Sequence, residues 1–280
     1  MSEIQKQKTQ NQQIVLVTGA SSGFGKAITE FLAKKGYYIF ASARSMEKLE
    51  AMRTENIEPL QLDVTDNNNI QAAIERITST KGHLDILINN AGYGLYGTLE
   101  GITQEQARQV FDVNLFGLAQ MTQAVLPIMR SQKSGTIINL SSVVGKVSMP
   151  FMGWYAASKH AVEALTDALR LEVKQFGIKV VLIEPGAINT GFEEVAMNTL
   201  DDSNDPEVYG NMRSAFANLI GNTYKNAPYA DVVTETIYKA IKISNPKARY
   251  SVGNDARMLI PVRRFLGDRL FDLIVSSQFK

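Results

Sequence analysis

Apolar residues fall along this chain in two alternating rhythms, short unbroken runs and longer stretches spaced at three and four. Ile14-Val15-Leu16-Val17 is the first run, apolar at every position. A run apolar on both faces suits a strand inside a parallel sheet, covered above and below. Similar runs predict strands over 37–41, 59–62, 84–89, 136–140, 178–183 and 249–252. Between them, 26–35, 47–52, 69–77, 104–130, 153–175 and 232–243 carry helical spacing, as in Ala27, Ile28, Phe31 and Leu32. Alternation of this kind predicts right-handed βαβ units: an α/β fold with one doubly wound parallel sheet of about seven strands, helices on both faces.

No linker rich in proline, serine or glycine breaks the pattern, and no segment repeats. Residues 13–280 therefore read as a single domain, behind a polar leader over 1–12 expected to be disordered. From about 190 to 228 the rhythm loosens. An acidic, turn-prone patch (Asp201 to Pro206) precedes a helix with Met212, Phe216, Leu219 and Ile220, and the region reads as a substrate loop or lid. An extension over about 253–280 sets Leu259, Ile260, Phe265, Leu266, Leu270, Phe271 and Ile274 among Arg263, Arg264 and Arg269. That spacing predicts a helix docked on the body or on a partner subunit, a membrane-surface helix being the other reading.

Charge and composition mainly exclude. A formal net charge of +1 lacks the basic surplus of a nucleic-acid binder. Without cysteine there is no disulfide, no thiolate catalysis and no cysteine-held metal. His83 and His160 are too few for an all-histidine site, so no metal is expected. The polar N-terminus is not a secretory signal, and no run approaches the roughly 18 apolar residues that span a bilayer. A soluble, cytoplasmic protein is the expectation.

Thr18-Gly19-Ala20-Ser21-Ser22-Gly23-Phe24-Gly25 lies between the first strand and the first helix. There Gly19 permits the turn, Gly23 lets backbone approach a pyrophosphate, and Gly25 allows close packing of helix on strand. The helix N-terminus offers donors to phosphates, as in a Rossmann-type nucleotide site. The spacing differs from Gly-x-Gly-x-x-Gly, and a purely structural glycine turn is the other reading. The end of the second strand bears on that choice. Ala43-Arg44 stands where an NAD site carries an acid for the ribose 2′-hydroxyl, and an arginine there can chelate a 2′-phosphate. This favours NADP(H) over NAD(H), against a ligand-free exposed arginine.

Tyr155 and Lys159 stand four apart in Gly153-Trp154-Tyr155-Ala156-Ala157-Ser158-Lys159, hence on one helix face. A neighbouring ammonium favours phenolate and lowers a tyrosine pKa, making the phenol a usable proton donor and acceptor. Taken alone, the pair is also what an amphipathic helix with a solvated lysine presents.

Together with Asp63, Asn89-Asn90-Ala91-Gly92, Asn114, Ser142 and Pro185-Gly186, these motifs resemble the short-chain dehydrogenase/reductase family, closely over about 13–190 and more loosely to Val252. The resemblance implies that Gly19, Ser21, Ser22, Gly23, Phe24 and Gly25 contact the cofactor, and that Asp63 and Val64 meet its adenine. It places Asn90, Ala91 and Gly92 along the cofactor and Pro185, Gly186, Ile188 and Thr190 over its nicotinamide. Tyr155 becomes the acid/base, Lys159 the ribose ligand that depresses the tyrosine pKa, and Ser142 the group polarising the carbonyl. Asn114 would hold a water joining Lys159 to solvent. The family's serine lies thirteen residues before the tyrosine, which selects Ser142 and leaves Ser141 a structural partner. Asn114 as a mid-helix residue bonding local backbone, and Asp63 as a turn or cap residue, remain the alternatives.

The substrate expected is a hydrophobic carbonyl or alcohol, because Tyr93, Leu95, Tyr96, Val143, Val144, Pro150, Phe151, Met152 and Trp154 surround the motifs, with Phe192, Met197, Met212 and Phe216 beyond Thr190. The Asn-Ala-Gly-Tyr-Gly run and the long tail resemble hydroxysteroid- and retinol-dehydrogenase-like members. An NADP-binding regulator without turnover and an epimerase or dehydratase on the same fold are the rival classes. Family members commonly pair the two long helices, which implies a homodimer, with a tetramer as the alternative.

Overall fold

In the computed structural model, which describes residues 12–279, seven parallel strands form one sheet in the order β3-β2-β1-β4-β5-β6-β7. They are β1 (Ile14–Thr18), β2 (Tyr38–Ala43), β3 (Ile57–Gln61), β4 (Ile86–Asn89), β5 (Gly135–Leu140), β6 (Ile178–Pro185) and β7 (Arg249–Val252). The leader expected over 1–12 lies outside the described residues except for Gln12, whose Nε2 donates to Gly36 O (3.0 Å) and Asn56 Oδ1 (2.8 Å).

Strand residues alternate between two cores. Val15, Val17, Ile39, Ile88 and Val181 face one side, against α1 (Gly23–Lys34) and α9 (Asp231–Lys242). Ile14, Leu16, Phe40, Leu87 and Val180 face the other, against α3 (Asn67–Lys81), α5 (Leu118–Gln132) and α6 (Gly153–Glu172). Both faces are covered, which is why β1 and the middle of β6 are apolar at successive positions. α2 (Met46–Glu50) joins β2 to β3. A buried polar ladder ties the layers: Asn89 Nδ2 donates to Thr122 Oγ1 (3.0 Å) and Asn139 Oδ1 (2.9 Å), and Asn139 Nδ2 to Thr166 Oγ1 (2.9 Å).

Three elements depart from the sequence reading. The long helix expected over 104–130 is α4 (Gln104–Phe111), a π-helical segment Asp112–Gly117, and α5. The wider turn brings Gly117 against Val64; a Cβ on this glycine would lie 2.7 Å from Val64 Cγ2. The loosened region contains α7 (Phe192–Asp201) and α8 (Gly210–Lys225). Its acidic patch is an anchor, since Thr98 N and Oγ1 both donate to Asp205 Oδ1 (2.8 and 2.6 Å). The tail is two helices, α10 (Asn254–Phe265) and α11 (Asp268–Ser277), broken at Leu266-Gly267. They pack on the body, in a third apolar cluster with Tyr96, Met152, Tyr155 and Phe216. Among the described residues no helix is long and apolar enough to cross a membrane.

Candidate active site

Strand order reverses between β1 and β4, whose chains leave toward opposite sides of the sheet and open a crevice at the strands' C-terminal ends. The glycine turn lies there. Gly19 has φ +67°, and a Cβ on it would lie 2.9 Å from Ala91 Cα; one on Gly25 would lie 2.2 Å from Gly19 O. Asn90 fastens the turn, its Nδ2 donating to Thr18 O (2.9 Å) and Gly19 O (3.2 Å). Thr18 Oγ1 accepts from Asn90 N and Ala91 N, each at 3.0 Å. α1 begins here with no side-chain cap from Ser22 and no acid in its first turn, leaving its first N–H groups and dipole toward the crevice. A nucleotide pyrophosphate fits such a cradle.

Arg44 emerges exposed just beyond β2 and has no carboxylate within ion-pair distance among the described residues. Asp63 makes a turn, its Oδ1 accepting from Thr65 N (2.9 Å) and Thr65 Oγ1 (2.8 Å). Val64 is buried beside it. Asn114 makes no local helix bond. Its Oδ1 accepts from Tyr93 N (3.0 Å), and its Nδ2 donates to Tyr93 O (3.0 Å) and Ser158 Oγ (3.1 Å). The π-helical segment thus joins the loop after β4 to α6, with both Nδ2 hydrogens of the asparagine engaged.

β5 delivers Ser141 and Ser142, and α6 delivers Tyr155 and Lys159. Ser142 Oγ accepts from Val144 N (3.3 Å) and faces Pro185 O at 3.4 Å. Ser141 lies deeper; its buried Oγ has no partner among the described residues, so its structural part is its backbone, whose N–H donates to Ile183 O (2.8 Å). Burial pushes the Tyr155 phenol up to about 12, and its hydrogen bond with Ser142 offsets part of that. The spacing argument, which expects a lysine-lowered tyrosine, is therefore not met in this geometry. Lys159 Nζ instead donates to Leu140 O (2.8 Å). Burial brings this ammonium down to about 8, with Glu163 one turn away opposing the shift.

A cavity of about 450 Å³ starts at Ser142 and Tyr155 and runs between α8, α10 and α11. Val143, Val144, Met152 and Phe192 line it as expected. Tyr93, Leu95 and Trp154 do not; they form a separate cluster with Phe111 and Val110. Pro150 and Phe151 also lie off this wall, Phe151 stacking on Phe216 with ring centroids 5.2 Å apart. Met197, Met212 and Phe216 belong to the surrounding cluster without lining the cavity. Leu259, Val262, Phe271 and Val275 supply the outer wall, a role not read from the tail's spacing.

Sequence reasoning also missed Asp255, at the start of α10. Its Oδ2 accepts from Ala187 N (2.6 Å), and a Cβ on Gly186 would fall 2.0 Å from its Oδ1. The carboxylate therefore fixes the Pro185-Gly186-Ala187 turn. The available signal was Gly253-Asn254-Asp255 ahead of a helical apolar run. Farther along the turn, a Cβ on Gly23 would lie 3.7 Å from Thr190 O, so the chain after β6 approaches the glycine turn.

Among known proteins, the family model described as short chain dehydrogenase matches residues 13–200. A 3-ketodihydrosphingosine reductase of Bacteroides thetaiotaomicron is 38% identical over 241 residues, 86% of this chain and 88% of that protein. An NADPH-dependent 3-dehydrocapnine reductase of Ornithobacterium rhinotracheale is 34% identical over 277 residues, covering 95% and 96%. The crystal structure of a short-chain dehydrogenase from Streptomyces avermitilis superposes with a TM-score of 0.82 at 30% identity, covering 95% of this chain and 96% of that one. A short-chain dehydrogenase/reductase from Burkholderia phymatum, solved with NAD, gives 0.76 at 26%, covering 95% of each.

Proposed function

This chain belongs to the short-chain dehydrogenase/reductase family, and on that premise we propose that it is an NADP(H)-dependent reductase of a ketone borne on a long alkyl chain. The observation that carries the reading is the apolar cavity opening directly on Ser142 and Tyr155. Two relatives' names support it, one a 3-ketodihydrosphingosine reductase and the other an NADPH-dependent 3-dehydrocapnine reductase.

NADPH, when bound, supplies the hydride. Gly19, Ser21, Ser22, Gly23, Phe24 and Gly25 would hold its pyrophosphate end, Arg44 its 2′-phosphate, and Asp63 and Val64 its adenine. Asn90, Ala91, Gly92 and Lys159 would take the ribose side, and Pro185, Gly186, Ile188 and Thr190 the nicotinamide. Tyr155 gives its phenolic proton to the carbonyl oxygen as charge develops there, while Ser142 Oγ–H donates a second hydrogen bond. A phenol pushed up to about 12 is in the donor form at neutral pH. Both Asn114 Nδ2 hydrogens are spent on Tyr93 O and Ser158 Oγ, so a relay water at this residue would donate to an oxygen rather than accept from the amide.

The test is NADPH oxidation across methyl ketones of increasing chain length, with the alcohol product quantified. Each added methylene raises kcat/KM about fourfold, from roughly 0.8 kcal/mol of burial, until the cavity is full. Independence of chain length sinks the substrate reading. Product without net redox change points to the epimerase or dehydratase class, and no turnover with any carbonyl to a regulator.

Arg44→Asp is expected to weaken NADPH binding about 30-fold, the worth of roughly 2 kcal/mol of charge-assisted hydrogen bonding, and to leave NADH nearly unchanged. Titration of cofactor fluorescence reads both, and an intact NADPH preference would remove Arg44 from the site. Asp255→Ala frees the Pro185-Gly186-Ala187 turn. It should raise the NADPH Kd about fivefold, because roughly 1 kcal/mol of turn ordering must then come from binding. An unchanged Kd would leave Asp255 with a packing role alone. The assembly proposed is a homodimer through α5 and α6. Exposed Phe116, Leu165 and Leu171 on and beside these helices support it, and light scattering measures it.

A further inference from the structure

The outer wall of the cavity is only one helix thick. α10 and α11 turn Leu259, Val262, Phe271 and Val275 inward, yet the same helices leave Phe265 82%, Leu273 67% and Leu270 49% exposed. Met258 and Ile274 do both: they line the cavity and are 61% and 43% exposed. Apolar surface therefore continues from the outside of the two helices over a rim into the space before Tyr155. A patch this apolar on a charged background marks an interaction site.

The charges around it narrow the partner. α10 and α11 carry Arg257, Arg263, Arg264 and Arg269 against Asp255, Asp268 and Asp272. Asp255 is turned inward onto Ala187 N, and Asp268 is held by Arg263 at 2.7 Å. Arg257, Arg264 and Arg269 are exposed and have no ion-pair partner among the described residues, leaving only Asp272 to oppose them. Exposed leucine and phenylalanine flanked by unpaired arginines match an anionic lipid surface, the rings and branched chains entering the acyl boundary and the guanidinium groups meeting phosphate. A protein partner seated on Met258 and Ile274 would close the cavity mouth, whereas a bilayer would supply what enters it.

We propose that the exposed face of α10 and α11 docks on an anionic bilayer surface and takes its long-chain ketone from the membrane directly into the cavity. The docking rests on this face; the delivery rests in addition on the substrate reading above.

Two variants test it in the full chain with NADPH present: Phe265→Glu/Leu273→Glu and Arg264→Gln/Arg269→Gln. All four positions lie off the cavity lining. Wild type should co-sediment with vesicles of about three parts phosphatidylcholine to one of phosphatidylglycerol, and release with salt. Pure phosphatidylcholine should hold it far less. Each lost arginine should weaken partitioning about fivefold, and the double glutamate variant should abolish it. Both variants should reduce a short, water-soluble ketone at the wild-type rate and lose turnover only on a long-chain ketone embedded in the vesicles.

Failure of wild type to bind anionic vesicles overturns the docking, as does undiminished binding by the glutamate variant. So does a drop in solution mass in that variant, which would assign the face to a second copy. The substrate reading fails separately: wild type that binds vesicles but reduces no long-chain ketone, in vesicles or in detergent, keeps the docking and loses the delivery.

Discussion

Replacing Tyr155 with phenylalanine is expected to lower kcat for ketone reduction by a factor of about 10³ or more, while NADPH binds within about twofold of wild type. General acid catalysis contributes on the order of 10²–10⁴, and here it comes from one hydroxyl whose other contact is Ser142. The ring survives in phenylalanine, so its packing against Phe192, with centroids 5.8 Å apart, survives too. Loss of turnover with intact cofactor binding separates a proton donor from a structural tyrosine. Residual activity within tenfold of wild type would refute the role. The pH profile adds an independent check. The phenol, pushed up to about 12, stays protonated through the working range, whereas Lys159, brought down to about 8, loses its charge as pH rises. Reduction should therefore fall above about pH 8, and a rate flat to about pH 10 would take the lysine out of the mechanism.

The parallel sheet was legible because both of its faces are buried. Ile14 to Val17 and Val180 to Ile183 are apolar at every position, and that pattern has few other uses. The glycine turn was legible because its glycines meet backbone: Gly25 against Gly19 O, Gly19 against Ala91 Cα. Other features left no periodic trace. A π-helical segment needs one extra residue in a turn, and the apolar spacing across Asp112–Gly117 absorbs it. The expected tyrosine–lysine coupling failed because spacing fixes a shared helix face but not where a long side chain ends, and Lys159 Nζ ends at Leu140 O. Trp154 sits beside the motif in sequence, yet the helix turns it about 100° away from Tyr155, into contact with Phe111. One overlooked signal was plain. Glu184 is a charge set directly after the apolar run Val180-Val181-Leu182-Ile183, at the buried end of the strand, which demands a buried partner.

That partner is Arg249, and Arg249→Met is expected to cost about 3–5 kcal/mol of stability at neutral pH. Arg249 Nε donates to Glu163 Oε2 (2.9 Å) and lies 3.4 Å from Glu184 Oε1, while its Nη2 donates to Asp167 Oδ2. Glu163 and Glu184 are 3% and 1% exposed, so without the guanidinium two buried carboxylates share Lys146, which contacts Glu163 at 2.7 Å. Burial, then Glu163, already raises the Glu184 pKa above its usual range. A folded-state pKa above the unfolded value means that the folded form holds the extra proton in that interval, so stability falls as pH rises through it. The variant's deficit in urea unfolding should therefore be larger near pH 7 than near pH 5, and Glu184→Gln added to it should recover more than half. Equal deficits at both values would show that packing, not charge, is lost. The same network reaches the chemistry. Glu163 raises the pKa of Lys159, so Glu163→Gln should move the alkaline fall in activity to lower pH. Arg249→Met, which leaves Glu163 less neutralised, should move it upward. Opposite shifts from two residues of one ion cluster would not follow from a loss of stability.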